Sequence, residues 1–132
     1  MTRIRIVSLL STLPAFALAA IASAADGDWR IYSKEANGNV HFFDTLRVQE
    51  DAHLRKIWQR IRYKGSVMGA SSYQALLEVD CAGRTQQVLQ RTFFSDKNWE
   101  NPAMSTDTKA KQKRRIAEGS AAARLSEIVC NQ

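Results

Sequence analysis

Cys81 and Cys130 are the only cysteines in the chain. Each ends a patterned segment, Cys81 an alternating run and Cys130 a short amphipathic one. Two thiols can pair, bind a metal or stay free. Two thiols with no neighbouring histidine make a poor metal site, because zinc sites want four sulfur or nitrogen ligands. The start of the chain indicates an oxidising compartment, where pairing is the default. Arg3 and Arg5 precede an apolar run of about 16 residues, short of the roughly 20 a spanning helix needs. Ala22-Ser23-Ala24 then presents small residues at the positions a signal peptidase reads. The expectation is a cleaved leader, residues 1–24, and one mature domain, residues 25–132, joined by a Cys81–Cys130 disulfide. No cysteine follows the apolar run to take a lipid, so the location expected is periplasmic or secreted, without a lipid anchor or a membrane span.

Other chemistry is sparse. His41 lies between strand aromatics and His53 opens an ambiguous segment, and neither has a partner motif. The nucleophile elbow, the paired-histidine zinc motif and the glycine-rich phosphate loop are all missing from the sequence. Glu78 and Asp80 share a strand face, which reads as a solvated surface. No metal and no cofactor are expected.

Two basic stretches could bind. In the first, Arg55, Lys56, Arg60, Arg62 and Lys64 interleave with Trp58 and Tyr63. Cations among aromatics suit an acidic glycan or a single strand of nucleic acid, although export argues against nucleic acid. The plainer reading is a solvated strand face. The second stretch, residues 95–115, is polar, carries Trp99, and turns basic at Lys111, Lys113 and Arg114. Of the 19 Lys and Arg, Arg3 and Arg5 fall in the leader. The remaining 17 face 13 Asp and Glu, a net charge of +4 that permits acidic partners without demanding them.

These residues need a scaffold. Residues 28–34 alternate, Asn37-Gly38 is a turn signal, and 40–44 alternate again, so a hairpin is expected over 28–45. In residues 53–63, Leu54, Ile57, Trp58 and Ile61 fit a helical stripe. Ile57, Gln59, Ile61 and Tyr63 equally fit one strand face, with Lys56, Trp58, Arg60 and Arg62 on the other. Residues 64–72 read as a loop. Tyr73, Ala75, Leu77, Val79 and Cys81 alternate strictly and make the clearest strand. Residues 84–94 make another, with Val88, Gln90, Thr92 and Phe94 on one side. Residues 95–115 read as a long loop, and Ile116 as a last short strand. Ser120 is a good N-cap for a helix over 120–130, with Leu125, Ile128 and Val129 as its apolar stripe.

Several of these features occur together in one exported family. They are Trp29, Phe42-Phe43-Asp44, Lys56-Ile57-Trp58, Glu78-Val79-Asp80-Cys81, Arg84, and a Ser120-capped segment closing on Leu125 and Val129-Cys130. In order and spacing the chain resembles the surface-adhesin protein E family over about residues 28–130. The resemblance implies an α+β fold: an antiparallel sheet of about five to six strands, with a C-terminal helix on one face tied by the cysteine pair. It makes residues 53–63 a strand. It also implies a non-enzymatic interaction protein, since members bind host proteins such as vitronectin, laminin and plasminogen. The rival readings are a periplasmic enzyme or enzyme inhibitor, and a glycan or nucleic-acid binder using residues 55–64.

Overall fold

The computed structural model describes residues 27–131, so the leader expected over 1–24 and its cleavage site lie outside the described residues. Eight strands precede one helix: β1 Trp29–Lys34, β2 Val40–Asp44, β3 Gln49–Asp51, β4 Leu54–Val67, β5 Ala70–Asp80, β6 Thr85–Phe94, β7 Ala103–Asp107, β8 Arg114–Arg115 and α1 Ala121–Cys130. They form a single antiparallel sheet in the order β1-β2-β4-β5-β6-β7. The short β3 pairs with β4 and the short β8 with β6, each at the end its longer neighbour leaves open. The architecture is thus the expected α+β sheet and helix, with more strands than the five to six expected. The additional ones, β3 and β7, fall in stretches whose polar composition reads as connection, and the short strand expected at Ile116 forms immediately before it as β8. All three are edge segments, mostly exposed, so no apolar alternation marks them. No helix among the described residues is long and apolar enough to cross a membrane.

Of the ambiguous residues 53–63, all but His53, which sits in the preceding turn, are strand. Ile57, Gln59 and Ile61 lie opposite Leu77, Ala75 and Tyr73 of β5. The strict alternation of β5 therefore selects the period-2 reading of its neighbour. The residues read as a loop, 64–72, extend this hairpin to a tight turn at Met68 and Gly69, both at positive φ (51° and 85°). Two bulges alter the alternation. In β1 the register shifts between Ile31 and Ser33, which turns both Tyr32 and Ser33 inward. In β6 Leu89 is the extra residue, because Leu76 faces Gln90 while Leu77 faces Val88. Val88 consequently shares a face with Arg91 and Phe93, not with Phe94 as simple alternation predicts.

Ile57, Leu77 and Val79 of the sheet meet Leu125 and Val129 of α1 in the core, all fully buried. Ser120 caps the helix by accepting from the Ala123 N–H at 3.1 Å. Cys81 and Cys130 are disulfide-bonded across a Cα separation of 5.7 Å. Ile128, expected in the apolar stripe, is 38% exposed. At 100° per residue, Cys130 lies about 140° to one side of Leu125 and Ile128 about 60° to the other. Tying Cys130 to the sheet rolls Ile128 outward.

Two arginines complete the attachment. Arg124 donates to Ser33 Oγ at 2.5 Å and to Glu35 Oε1 at 3.0 Å, joining α1 to β1. Arg55 is buried beneath the other end, where its Nε donates to the Val129 carbonyl at 3.1 Å. Its Nη1 donates to the carbonyls of Ala52 and Leu54 at 2.8 and 3.0 Å. Replacing it by Met keeps the length and strips the donors. Arg55→Met is expected to lower the unfolding free energy by about 1–3 kcal/mol, the cost of orphaned buried polar groups. Urea denaturation reads this directly, and an unchanged midpoint would show that water serves those carbonyls equally well.

Candidate functional site

The sheet has two faces. One carries α1. The other carries the outward side chains of β1, β2 and β4, brought together by register. Phe42 of β2 lies opposite Arg60 of β4, and Trp58 of β4 lies opposite Leu76 of β5. Trp29 stands on β1 across from Asp44. On this face cations and rings alternate. The Arg47 guanidinium carbon is 5.9 Å from the ring centres of both Trp58 and Trp29. That of Arg60 is 4.2 Å from Trp29 and 4.8 Å from Trp99. That of Arg62 is 5.4 Å from Trp99 and 5.3 Å from Phe42. Phe42 and Trp99 meet edge to face, 5.7 Å apart. Such stacks are worth about 0.5–2 kcal/mol each, more where water is excluded.

Each cation is aimed by a second contact. Arg60 donates from Nε to Gln74 Oε1 at 2.8 Å, and Arg62 from Nε to the Lys97 carbonyl at 3.2 Å. Arg47 pairs with Asp44. Asp44 is fully buried and also accepts the Asp28 and Leu46 N–H groups, both at 3.0 Å. Burial alone pushes its pKa up; the donations from Arg47, Leu46 and Asp28 outweigh that and hold it below the ordinary value. Gly27 passes so close that an added Cβ would sit 2.2 Å from Asp44 Oδ2, at a φ of +56° that also favours glycine. Because the folded-state pKa is depressed, the stability contributed by Asp44 is whole above the unfolded value of about 3.9. It is lost as pH falls through the lower folded value. The stability gap between the native chain and Asp44→Asn is therefore expected to hold from pH 7 to 5 and to shrink below about pH 4. A gap that stays constant down to pH 2 would show that Asp44 is not charged in the fold.

Trp99 reaches this face because the connection after β6 is folded, not loose. Asp96 accepts the N–H groups of Glu100 (3.0 Å), Asn98 (3.2 Å) and Asn101 (3.2 Å). The Glu100 N–H contributes most to holding the Asp96 carboxyl below its ordinary pKa. Lys97 Nζ donates to the carbonyls of Tyr63 and Lys64 at 2.6 and 2.9 Å. Trp99 Nε1 donates to the Tyr73 carbonyl at 2.9 Å. At the other end of the layer, Lys56, Trp58, Arg47 and Leu46 border a groove of about 450 Å³. Leu46 is 71% exposed there.

Of the residues expected to bind, the fold gathers Lys56, Trp58, Arg60, Arg62 and Trp99 on this outer face. Arg55 is not among them; neighbouring positions on a strand point to opposite sides, and it lies under the helix. Lys111 pairs with Asp107, Lys113 is exposed, and Arg114 stands in β8, all away from this layer. Trp29, Phe42 and Arg47 complete the layer without having been singled out as binding residues. Phase and pairing of the first hairpin could have found the two aromatics. Arg47 lies in a connection and carries no such signal.

The histidines stand elsewhere. His41 Nδ1 is 3.5 Å from the Tyr32 hydroxyl, and burial lowers its pKa, with Glu35 opposing. His53 Nε2 is 3.8 Å from Asp80 Oδ1, but that oxygen also accepts the N–H groups of Ala82 and Gly83 at 3.0 and 2.8 Å. The carboxylate read as solvated surface thus holds the β5–β6 turn.

The model of the surface-adhesin protein E family matches residues 29–131. Crystal structures of Haemophilus influenzae protein E share the fold. One superposes with a TM-score of 0.62 at 11% identity over 78% of this chain and 83% of its own. A second crystal form gives 0.60 at 14% identity over 86% and 94%. Protein E from a non-typeable Haemophilus influenzae gives 0.61 at 12% identity over 86% and 82%. No curated protein sequence matches the chain significantly.

Proposed function

Because the chain belongs to the surface-adhesin protein E family, we propose that it is an exported, non-enzymatic interaction protein whose outer sheet face docks another macromolecule. The mature domain begins after Ala24 and works in the periplasm or outside the cell. The observation that carries this reading is the layer of stacked rings and guanidinium groups from Trp58 to Phe42. Trp and Arg dominate the energetics of protein interfaces, because rigid rings and planar cations bury area at small entropic cost. Here they are already ordered by one another. The partner expected is a protein of the envelope or of the host matrix, with Lys56 and Trp58 at the centre of contact and Arg60, Arg62 and Trp99 behind them.

The test is surface plasmon resonance of the purified chain against vitronectin, laminin and plasminogen and against envelope extract. Trp58→Ala and Lys56→Glu are expected to weaken any saturable binding by roughly tenfold or more, with the melting temperature preserved. Saturable binding indifferent to both would place the contact elsewhere. An acidic glycan is the second reading, favoured by four cations on one face. It predicts affinity falling steeply with salt.

A further inference from the structure

The helix covers only part of its face of the sheet. Between its first turn and the β6 edge lies a cleft of about 680 Å³. Its floor is Gln86, Val88 and Arg91 of β6, and Arg114 and Arg115 of β8 border it. Ile116 and Ala122 form the apolar wall on the helix side. The bulge at Leu89 is what directs Val88 and Arg91 to this face together.

Two polar atoms at the floor, Gln86 Oε1 and Arg91 Nε, are buried without a hydrogen-bond partner among the described residues. Asp107 is the carboxylate nearby. It pairs with Lys111 at the rim and lies 3.9 Å from Arg91 Nε, beyond hydrogen-bonding distance. Buried polar atoms are normally paired, and each one left over needs a reason. Here one is an acceptor and the other a donor, in a volume typical of ligand clefts.

We propose that this cleft binds a short acidic segment of a protein in extended conformation. The chemistry selects that class. Arg91, Arg114 and Arg115 call for carboxylates. A bare sulfate could accept from Arg91 but has no donor for Gln86 Oε1, and a phosphate, with its O–H, would still leave Val88, Ile116 and Ala122 uncovered. A peptide backbone supplies N–H and C=O in alternation, and an aliphatic side chain beside the acids fits Val88, Ile116 and Ala122. A sulfated glycan would leave that apolar floor unfilled. The site lies on the helix side of the sheet, opposite the Trp58 layer, and is independent of it.

The test is fluorescence anisotropy of the purified chain with a labelled short peptide of alternating Glu and Leu, beside its Lys and Leu counterpart and a labelled heparin oligosaccharide. The acidic peptide is expected to bind saturably and the basic one not. Arg114→Glu with Arg115→Glu, both exposed and safe for folding, is expected to weaken binding roughly tenfold or more and to flatten its salt dependence. Gln86→Leu removes the acceptor at constant apolar bulk and is expected to weaken binding with little change in salt dependence. Trp58→Ala is expected to leave it unaltered. Equal affinity in the double arginine variant overturns the proposal. So does saturable binding of the heparin oligosaccharide in place of the peptide, or no peptide binding at low salt.

Discussion

Reducing the Cys81–Cys130 disulfide is expected to lower the melting temperature by roughly 15–30 °C. The bond closes a loop of 49 positions. Releasing a loop of that length returns about 4 kcal/mol of chain entropy to the unfolded state. A domain of this size typically has about 5–15 kcal/mol in all. The tie also acts locally. Cys130 is the last residue of α1, and Cys81 directly follows β5, the strand that supplies Leu77 and Val79 to the core. Without the bond, the last turn of the helix is held by the Arg55 hydrogen bond and by Val129 alone. Thermal melting by circular dichroism with and without reductant measures the effect, and Cys81→Ser with Cys130→Ser should reproduce it. A melting temperature unmoved by reductant would mean that packing alone holds the helix.

Leu125→Ala is expected to cost about 3–5 kcal/mol, the upper range for a fully buried leucine. Leu125 has no exposed surface and sits mid-helix over Ile57, Leu77 and Val79. The side chain loses its apolar transfer energy, and the cavity left behind cannot close easily because three ties hold the helix in place. Leu125→Asp would add a buried unpaired charge and is expected to prevent folding. Ile128→Asp is the informative contrast. One helical turn away in sequence yet 38% exposed, it is expected to cost well under 2 kcal/mol. Guanidinium denaturation of the three variants separates the two positions. Equal losses at 125 and 128 would mean the helix is rolled differently from the arrangement described here.

The contrast between Leu125 and Ile128 shows what local pattern can resolve. Both fit an amphipathic stripe, and sequence spacing places them within one face. Which edge of that face turns inward depends on where Cys130 is anchored, a partner 49 positions away. The same limit applied to residues 53–63, whose apolar residues satisfy both periods until β5 lies beside them. In β6, the extra residue Leu89 reverses the phase of half the strand, and nothing in its composition announces that. The edge strands β3 and β7 were missed because strands with little burial have no hydrophobic code to read.

The candidate site divides similarly. Lys56, Trp58, Arg60 and Arg62 were legible as one strand face, because alternate residues of a strand share a side. Arg55 was grouped with them by proximity in sequence and belongs to the helix clamp. Trp99 was legible as an isolated aromatic in a polar stretch; its position between Arg60 and Arg62 follows from the turn built on Asp96 and Lys97.

By itself, the sequence determined the helix and its Ser120 cap, the strands β5 and β6 and the single cysteine pairing. All of these are encoded within a few residues, by periodicity, capping and thiol chemistry. Tertiary structure alone decided the register, the two bulges, the roll of the helix and the alternation of Arg47, Arg60 and Arg62 with the rings of three other segments. Those depend on contacts between residues far apart in the chain, where burial and pairing decide among local options of nearly equal free energy.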